Sequence, residues 1–462
     1  MPAFRLIDAK LPDFGIPATR PELDRSVYLA RFAALGRARR AAGLDALVVY
    51  ADREHSANLS YITGFDPRFE EALLLITPDA TPTLLAGPEN LGRAANAAIE
   101  VEARLYPPFG LLGQDRTKTP ALAEVLRNAG IASNQRVGVL GWKYFGPDEA
   151  AKPEAWLETP SYIVDTLRQI VGADGRVVNA NALLMHSVTG LRAVNEIVQI
   201  AQFEFGAVAC SEAVKALIAN VRPGMSEFDA VQQMRLGVLP HSCHTMFSSG
   251  DKLVGLNSPS GKRLKKGDPM TSAVGYWGGL SSRMGWLVED ESELPTNVRD
   301  YVDRLAGPYF ACAAEWYETI GIGVTGGELD ALARRHLDTP FFKLVLNPGH
   351  LIHLDEWLNT QVYPGSKEPF LSGQAVQCDI IPAAGPPYYG ANIEDGIALL
   401  DDRGRAELKV DFPDVWGRIE ARRAFMGDVL GIRLKPEVLP LSNLAGAMPP
   451  YWLSPNRIVS KA

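Results

Sequence analysis

The chain has 462 residues, enough for two or three domains with a sizeable core. Hydrophobic residues at 47% and charged residues at 22% are a globular composition, and a net charge of −8 excludes a general nucleic-acid binder, which needs a basic surplus. No apolar run approaches the ~18–20 residues that span a bilayer and no secretory leader is recognisable, so the sequence reads as a cytoplasmic protein without a membrane partner.

The first twenty-odd residues, with Pro12, Gly15, Pro17 and Pro21, read as an irregular arm suited to packing on a partner. From Tyr28, apolar Leu29, Phe32 and Leu35 and a basic face (Arg31, Arg37, Arg39, Arg40) follow helical spacing, and Gly43 supplies the stop. Strands are predicted at 46–50, 72–76, 83–85, 136–140 and 177–182, with a helix over 122–129 between them. This alternation defines an α/β domain over residues 1–185. A second domain over 190–462 has another texture. Helices are predicted over 193–218, 228–235, 296–320 and 327–337, the second opened by Ser226 with Asp229 three residues on. Strands at 270–276, 375–381 and 396–400 arrive in blocks, which makes this domain α+β. The apolar, proline-rich tail from Leu439 to Leu453 is suited to packing on its own domain or at a dimer interface.

Cys210, Cys243, Cys312 and Cys378 lie far apart without a CxxC pair. That excludes the usual cysteine-based zinc motifs and argues against a disulfide framework. The pair His241 and His244 straddles Cys243 as HxxH, a weak metal signal that equally fits residues lining a cleft.

Six short blocks, in order, resemble the creatinase, aminopeptidase P and prolidase ("pita-bread") family. They are Asn58-Leu59-Ser60-Tyr61-Ile62-Thr63-Gly64-Phe65, Leu191–Ile197 with Arg192 and Glu196, and Phe247-Ser248-Ser249-Gly250 followed by Pro259, Arg263 and Gly267-Asp268. Then come Asn347-Pro348-Gly349-His350-Leu351-Ile352, the stretch Gly373–Asp379, and Gly390–Asp395 with Glu394. The resemblance implies a creatinase-like α/β domain, then a pita-bread domain, and a homodimer acting on a small molecule or short peptide.

Family chemistry rests on two divalent metals held by two aspartates, a histidine and two further acids, since hard cations prefer anionic oxygens. Three positions survive: His350, Asp379 and Glu394. The lost aspartates fall at Ser272 or Ala273 and at Ser282 or Arg283, because residues 269–288 hold no acid. The dinuclear centre is therefore expected to be absent and no cofactor is expected, although a single divalent metal at His350, Asp379 and Glu394 stays open. Creatinase itself works without metal, but its shuttle histidine falls at Asn257, which cannot relay a proton. Its following glutamate falls near Gly285, so creatine is an unsuitable substrate.

The expected catalytic set is His350, Asp379 and Glu394. His350 reads as a general base, a lone metal ligand or a relic. Arg283 is expected to offset the two acids or hold an anionic substrate group. Arg68, in a loop that creatinase uses for a substrate carboxylate, His353, Trp357, His244 and Asn257 complete the substrate-binding candidates. Trp277 and Trp286 read as core. Two functions follow: a divergent hydrolase of a C–N bond, or a catalytically silent relative that binds a ligand or partner.

Overall fold

The computed structural model describes residues 4–78, 80–237, 239–253 and 255–461. It divides into two compact units, Leu23–Arg192 and Met1–Glu22 with Ala193–Ala462. This division differs from the expected 1–185 span in grouping the first 22 residues with the C-terminal unit. The reason is covalently distant but local in space: β1 (Phe4–Asp8) pairs antiparallel with the last strand, Arg457–Lys461. The arm that follows is strapped down by Lys215 Nζ on the Pro12 carbonyl (2.9 Å), Asn443 Nδ2 on Gly15 (3.0 Å) and Gln202 Nε2 on Pro21 (2.6 Å).

In the Leu23–Arg192 unit, β2 (Ala46–Ala51), β3 (Ala72–Ile76), β4 (Thr83–Ala86), β5 (Glu102–Leu105), β6 (Arg136–Leu140) and β7 (Arg176–Asn179) form one mixed sheet in the order β5-β4-β3-β2-β6-β7. Every residue of β2 and β3 is buried, as expected of central strands covered on both faces. Leu122, Val125 and Leu126 of one helix and Ile163, Leu167 and Ile170 of another pack on Val48, Leu73 and Val137. The Asn58–Phe65 block is an internal brace. Asn58 Oδ1 accepts from Arg192 Nη1 at 2.7 Å, and Tyr61 donates to the Leu191 carbonyl at 2.9 Å.

The other unit is built around the helix Ile197–Asn220, which starts four residues later than expected. Asn195 is held in the preceding loop by bonds from its backbone N and Nδ2 to the Gly373 carbonyl. This helix is long and apolar enough to cross a bilayer, but 72% of its most apolar stretch is buried inside the unit, as for a core helix. The helix Glu227–Gln232 has the predicted start, with both halves of the Ser226/Asp229 capping box formed. The helix expected over 296–320 is broken. A 3-10 turn and a π turn (Val302–Ala306) precede Gly307–Thr319. Pro308 has no N–H to return to the preceding turn, so the ladder widens ahead of it.

Strands β8 (Met246–Ser249), β9 (Pro269–Tyr276), β10 (Gly279–Trp286), β11 (His350–Leu351), β12 (Ala375–Gln377), β13 (Ile393–Glu394), β14 (Gly396–Leu399), β15 (Val438–Pro440) and β16 (Arg457–Lys461) follow. They form two antiparallel sheets, β13-β10-β9-β8 and β11-β12-β14-β15, besides the β1-β16 pair. β9 and β10 are joined through Trp277-Gly278, with Gly278 at φ +84°, where a two-residue hairpin favours glycine. Gln377 Nε2 donates to the Leu280 carbonyl at 3.0 Å and ties the two sheets together.

Candidate active site

The site grows out of the strand register. In an antiparallel pair, alternate residues face opposite sides. Ala273 pairs with Ser282, and Ser282 pairs with Glu394, so these three share one face. Thr271, Leu280 and Met284 join them in lining a cavity of about 630 Å³. The cavity-facing positions are Ala273 and Ser282, and neither carries an anionic oxygen.

Asp379 follows β12 by two residues and lines the same cavity, as do Glu356 and Trp357 from the loop after β11. His350 opens β11 opposite Gln377. Gly349 before it has φ +124°, and a Cβ there would sit 3.0 Å from Trp316 and 3.1 Å from the Gln377 carbonyl. Only glycine delivers the chain to His350 at this point. Tyr309 supports the other side, its hydroxyl accepting from the Ile393 N–H at 2.7 Å just before Glu394.

His350 is fully buried, with Nδ1 3.2 Å from the Leu351 carbonyl. Its Nε2 lies 3.3 Å from Glu356 Oε1, 3.8 Å from Glu394 Oε1 and 3.9 Å from Asp379 Oδ2. Trp357 stacks on the imidazole with ring centroids 4.1 Å apart. Burial opposes charge on His350, but Glu356, then Glu394 and Asp379, outweigh it and hold its pKa well above the ordinary imidazole value. Burial pushes Asp379 up to about 6, against the pull of His350. Burial and then the neighbouring Asp379 raise Glu394 well above the usual carboxyl range. The cluster therefore holds protons that separate groups would lose. His350 Nε2, Asp379 Oδ1 and Asn392 Oδ1 are buried without a hydrogen-bond partner. The two oxygens are acceptors on the cavity wall still open to a donor.

The other candidates divide. Trp357 belongs to the cavity. Arg283 does not, because one residue along β10 from Ser282 it points to the opposite face. There it is fully buried, Nη2 meets Asp395 Oδ2 at 2.5 Å, and Nε donates to the Ala447 carbonyl at 2.8 Å. It therefore neither offsets Asp379 and Glu394 nor holds a substrate anion. Gly285 faces Trp452, whose Nε1 would be 2.4 Å from an added Cβ. His353 is buried edge-on against Phe203 with ring centroids 5.2 Å apart and is not part of the cavity wall. His244 is exposed, with Nε2 2.8 Å from the Leu256 carbonyl, and braces a loop instead of lining the cavity. His241 packs on Tyr276, so the HxxH pair does not form a ligand set. Asn257 is exposed and contributes its carbonyl to the Phe247 N–H. Arg68 lies in the Leu23–Arg192 unit, paired with Asp66 at 2.8 Å. Glu356 escaped the sequence reading. It stands in a loop with no periodicity, so nothing in its local sequence marks it.

Whether the family's metals fit can be tested on these residues. The cavity-facing positions of β9 and β10, Ala273 and Ser282, supply no carboxylate toward a second ion. One ion does fit the donor set. His350, Asp379 and Glu394 each offer a ligand atom, all within 4.8 Å of one another.

This arrangement of an α/β sheet unit and a second unit of paired antiparallel sheets defines a class. The chain has a creatinase-type α/β domain followed by a pita-bread domain. Residues 31–170 match the model of the Creatinase/Prolidase N-terminal domain family. The fold is that of solved prolidases and X-Pro peptidases. Prolidase from Pyrococcus horikoshii OT3 superposes with a TM-score of 0.60 at 17% identity, covering 80% of this chain and 95% of that one. Xaa-Pro dipeptidase from Bacillus anthracis gives 0.59 at 19%, covering 82% and 96%. X-Pro aminopeptidase from Thermotoga maritima MSB8 gives 0.58 at 16%, covering 80% and 95%. No curated protein matches the sequence. Residues 31–170 thus match a creatinase/prolidase N-terminal domain, and the fold of solved prolidases extends over about four fifths of the chain.

Proposed function

We propose that this protein is a peptidase-type hydrolase that cleaves a C–N bond of a small molecule or short peptide without a two-metal centre. The observation that carries the reading is the convergence of Glu356, Asp379 and Glu394 on one cavity, with His350 Nε2 3.3–3.9 Å from an oxygen of each. Hydrolysis of a C–N bond needs one proton removed from water and one delivered to the departing nitrogen. Asp379 and Glu394 line the cavity and reach water or substrate directly, so Asp379 Oδ1 takes the first proton and the Glu394 carboxyl supplies the second. His350 Nε2 sits beside both and passes the proton between them. It also balances their charge, which is the work the sequence reading gave to Arg283. A single divalent ion held by His350, Asp379 and Glu394 would supply Lewis acidity at the same place. The fold neighbours, one titled a prolidase and another an Xaa-Pro dipeptidase, support a peptidase-type substrate. The homodimer implied by the family resemblance belongs to the same reading, and sedimentation equilibrium tests it.

The test is a turnover screen of amides, Xaa-Pro and other dipeptides and cyclic amidines, on protein whose metal content has been measured. Losing one proton-transfer group costs about 10²–10⁴ in rate, so His350→Ala and Glu394→Ala variants should each fall by that much. If both keep wild-type turnover, the site is wrong. Saturable binding across the screen with no turnover at all would make the protein a binding module.

A further inference from the structure

The cavity has a chemical polarity that narrows its ligand beyond the general hydrolase reading, on which this inference rests. Its described lining includes four carboxyl groups, Asp251, Glu356, Asp379 and Glu394, and no lysine or arginine. Asp251 has a cation nearby, Lys262 Nζ at 3.8 Å. The other three share one imidazole, His350. Arg283, the arginine nearest in sequence to the cavity strand positions, is spent on Asp395 on the far side of β10. Most of the remaining wall is apolar, with Leu280, Met284, Leu346, Ile381, Pro386 and Tyr389 beside the polar Thr271, Ser282 and Asn392.

An independent observation points the same way. Two buried oxygens on this wall lack a hydrogen-bond partner, Asp379 Oδ1 and Asn392 Oδ1, on residues 6% and 7% exposed. Both are acceptors, so the group that completes them is a donor. A ligand carboxylate entering here would meet three acids whose shared neighbour, His350, is already engaged by them, with no lysine or arginine among the described lining to receive it, and burying it there adds like-charge repulsion. A ligand cation meets both needs at once.

We propose that the substrate is a small organic cation with an apolar body. Its protonated nitrogen lies among Glu356, Asp379 and Glu394, its body rests on Leu280, Met284, Ile381 and Tyr389, and it carries no carboxylate at this end. Trp357, stacked on His350 beside these acids, adds an aromatic face to the cation's surroundings. Such a ligand departs from a dipeptide whose C-terminal carboxylate must be captured by a base.

The test uses binding rather than turnover, with three probes on one phenylpropyl skeleton: 3-phenylpropylammonium, 3-phenylpropanol and 3-phenylpropanoate, titrated calorimetrically into the full-length protein. The ammonium should bind about tenfold or more tighter than the alcohol, and the propanoate more weakly than either. Glu356→Gln, at a partly exposed side chain, should erase about tenfold of the ammonium preference while leaving alcohol affinity within about twofold, which also reports an intact cavity. Equal or tighter binding of the propanoate overturns the proposal, as does an ammonium preference unmoved by Glu356→Gln, or binding of none of the three. The two readings fail separately. Cation-selective binding without turnover of any substrate would remove the hydrolase and keep the selectivity. Turnover of carboxylate-terminated dipeptides with the ammonium probe excluded would do the reverse.

Discussion

Glu394 and Asp395 are neighbours in sequence and opposites in environment. Asp395 faces the closed side of β10. Its carboxylate receives Arg283 Nη2 at 2.5 Å, Ser442 Oγ at 2.6 Å and the Gly446 N–H at 3.0 Å. Glu394 faces the cavity, with His350 Nε2 at 3.8 Å and Asp379 close by. Both carboxyls are buried, at 2% and 7% exposure. One is saturated with donors and closed into the fold; the other lies on the cavity wall beside His350. The same alternation separates Arg283 from Ser282 on β10. A buried acid is therefore informative about function only when its donors are counted, since the closed network shows that burial by itself is ordinary structure.

This contrast can be broken most forcefully on the closed side. Arg283→Met strands the Asp395 carboxylate without its cation and should cost about 3–5 kcal/mol in denaturant unfolding, whereas Arg283→Met with Asp395→Leu should recover most of that. A single substitution that leaves stability untouched would show that the pair is not a structural unit. On the open side, Glu394→Gln should shift stability by less than about 1 kcal/mol, in either direction. Its rate on any substrate found should fall at least about a hundredfold, and equal destabilisation by Glu394→Gln and Asp395→Asn would erase the distinction between the faces. Adding acids to the cavity sharpens the comparison further. Ala273→Asp with Ser282→Asp should lose about 1–3 kcal/mol through like-charge crowding and regain it on adding Mn²⁺, read as a metal-dependent rise in melting temperature. No metal response in that variant would contradict the register read from β9 and β10. The smallest effect is expected at Trp357→Leu, where loss of the stack on His350 should cost about 0.5–1.5 kcal/mol.

Much of this was legible from residues alone. The motif blocks located His350, Asp379 and Glu394, because glycines, prolines and acids at fixed offsets survive as text. The α/β and α+β textures were readable in the same way, from hydrophobic period and punctuation. What the text could not carry was sidedness. A strand repeats every two residues, so a one-residue slip exchanges its faces, and that slip is the whole error at Arg283. Glu356 was hidden for a related reason, since its loop has no period and its meaning comes only from the 3.3 Å approach to His350. The broken helix before Gly307 was signalled by Pro308, but its apolar pattern ran on through the break. The first 22 residues could not be assigned from local sequence, because their partner strand lies some 450 positions away.

That partnership has a consequence for biosynthesis. Strand β1 leaves the ribosome some 450 residues ahead of its mate β16. The Leu23–Arg192 unit has its sheet complete by β7 and can fold while translation continues. Residues 4–8 must wait as an unpaired edge through the synthesis of the residues between the two strands, a period in which charges such as Arg5 and Asp8 help keep such an edge from pairing wrongly. The closure of β1 on β16 is thus a late event in making this molecule, a clasp fastened after the cavity strands have already emerged.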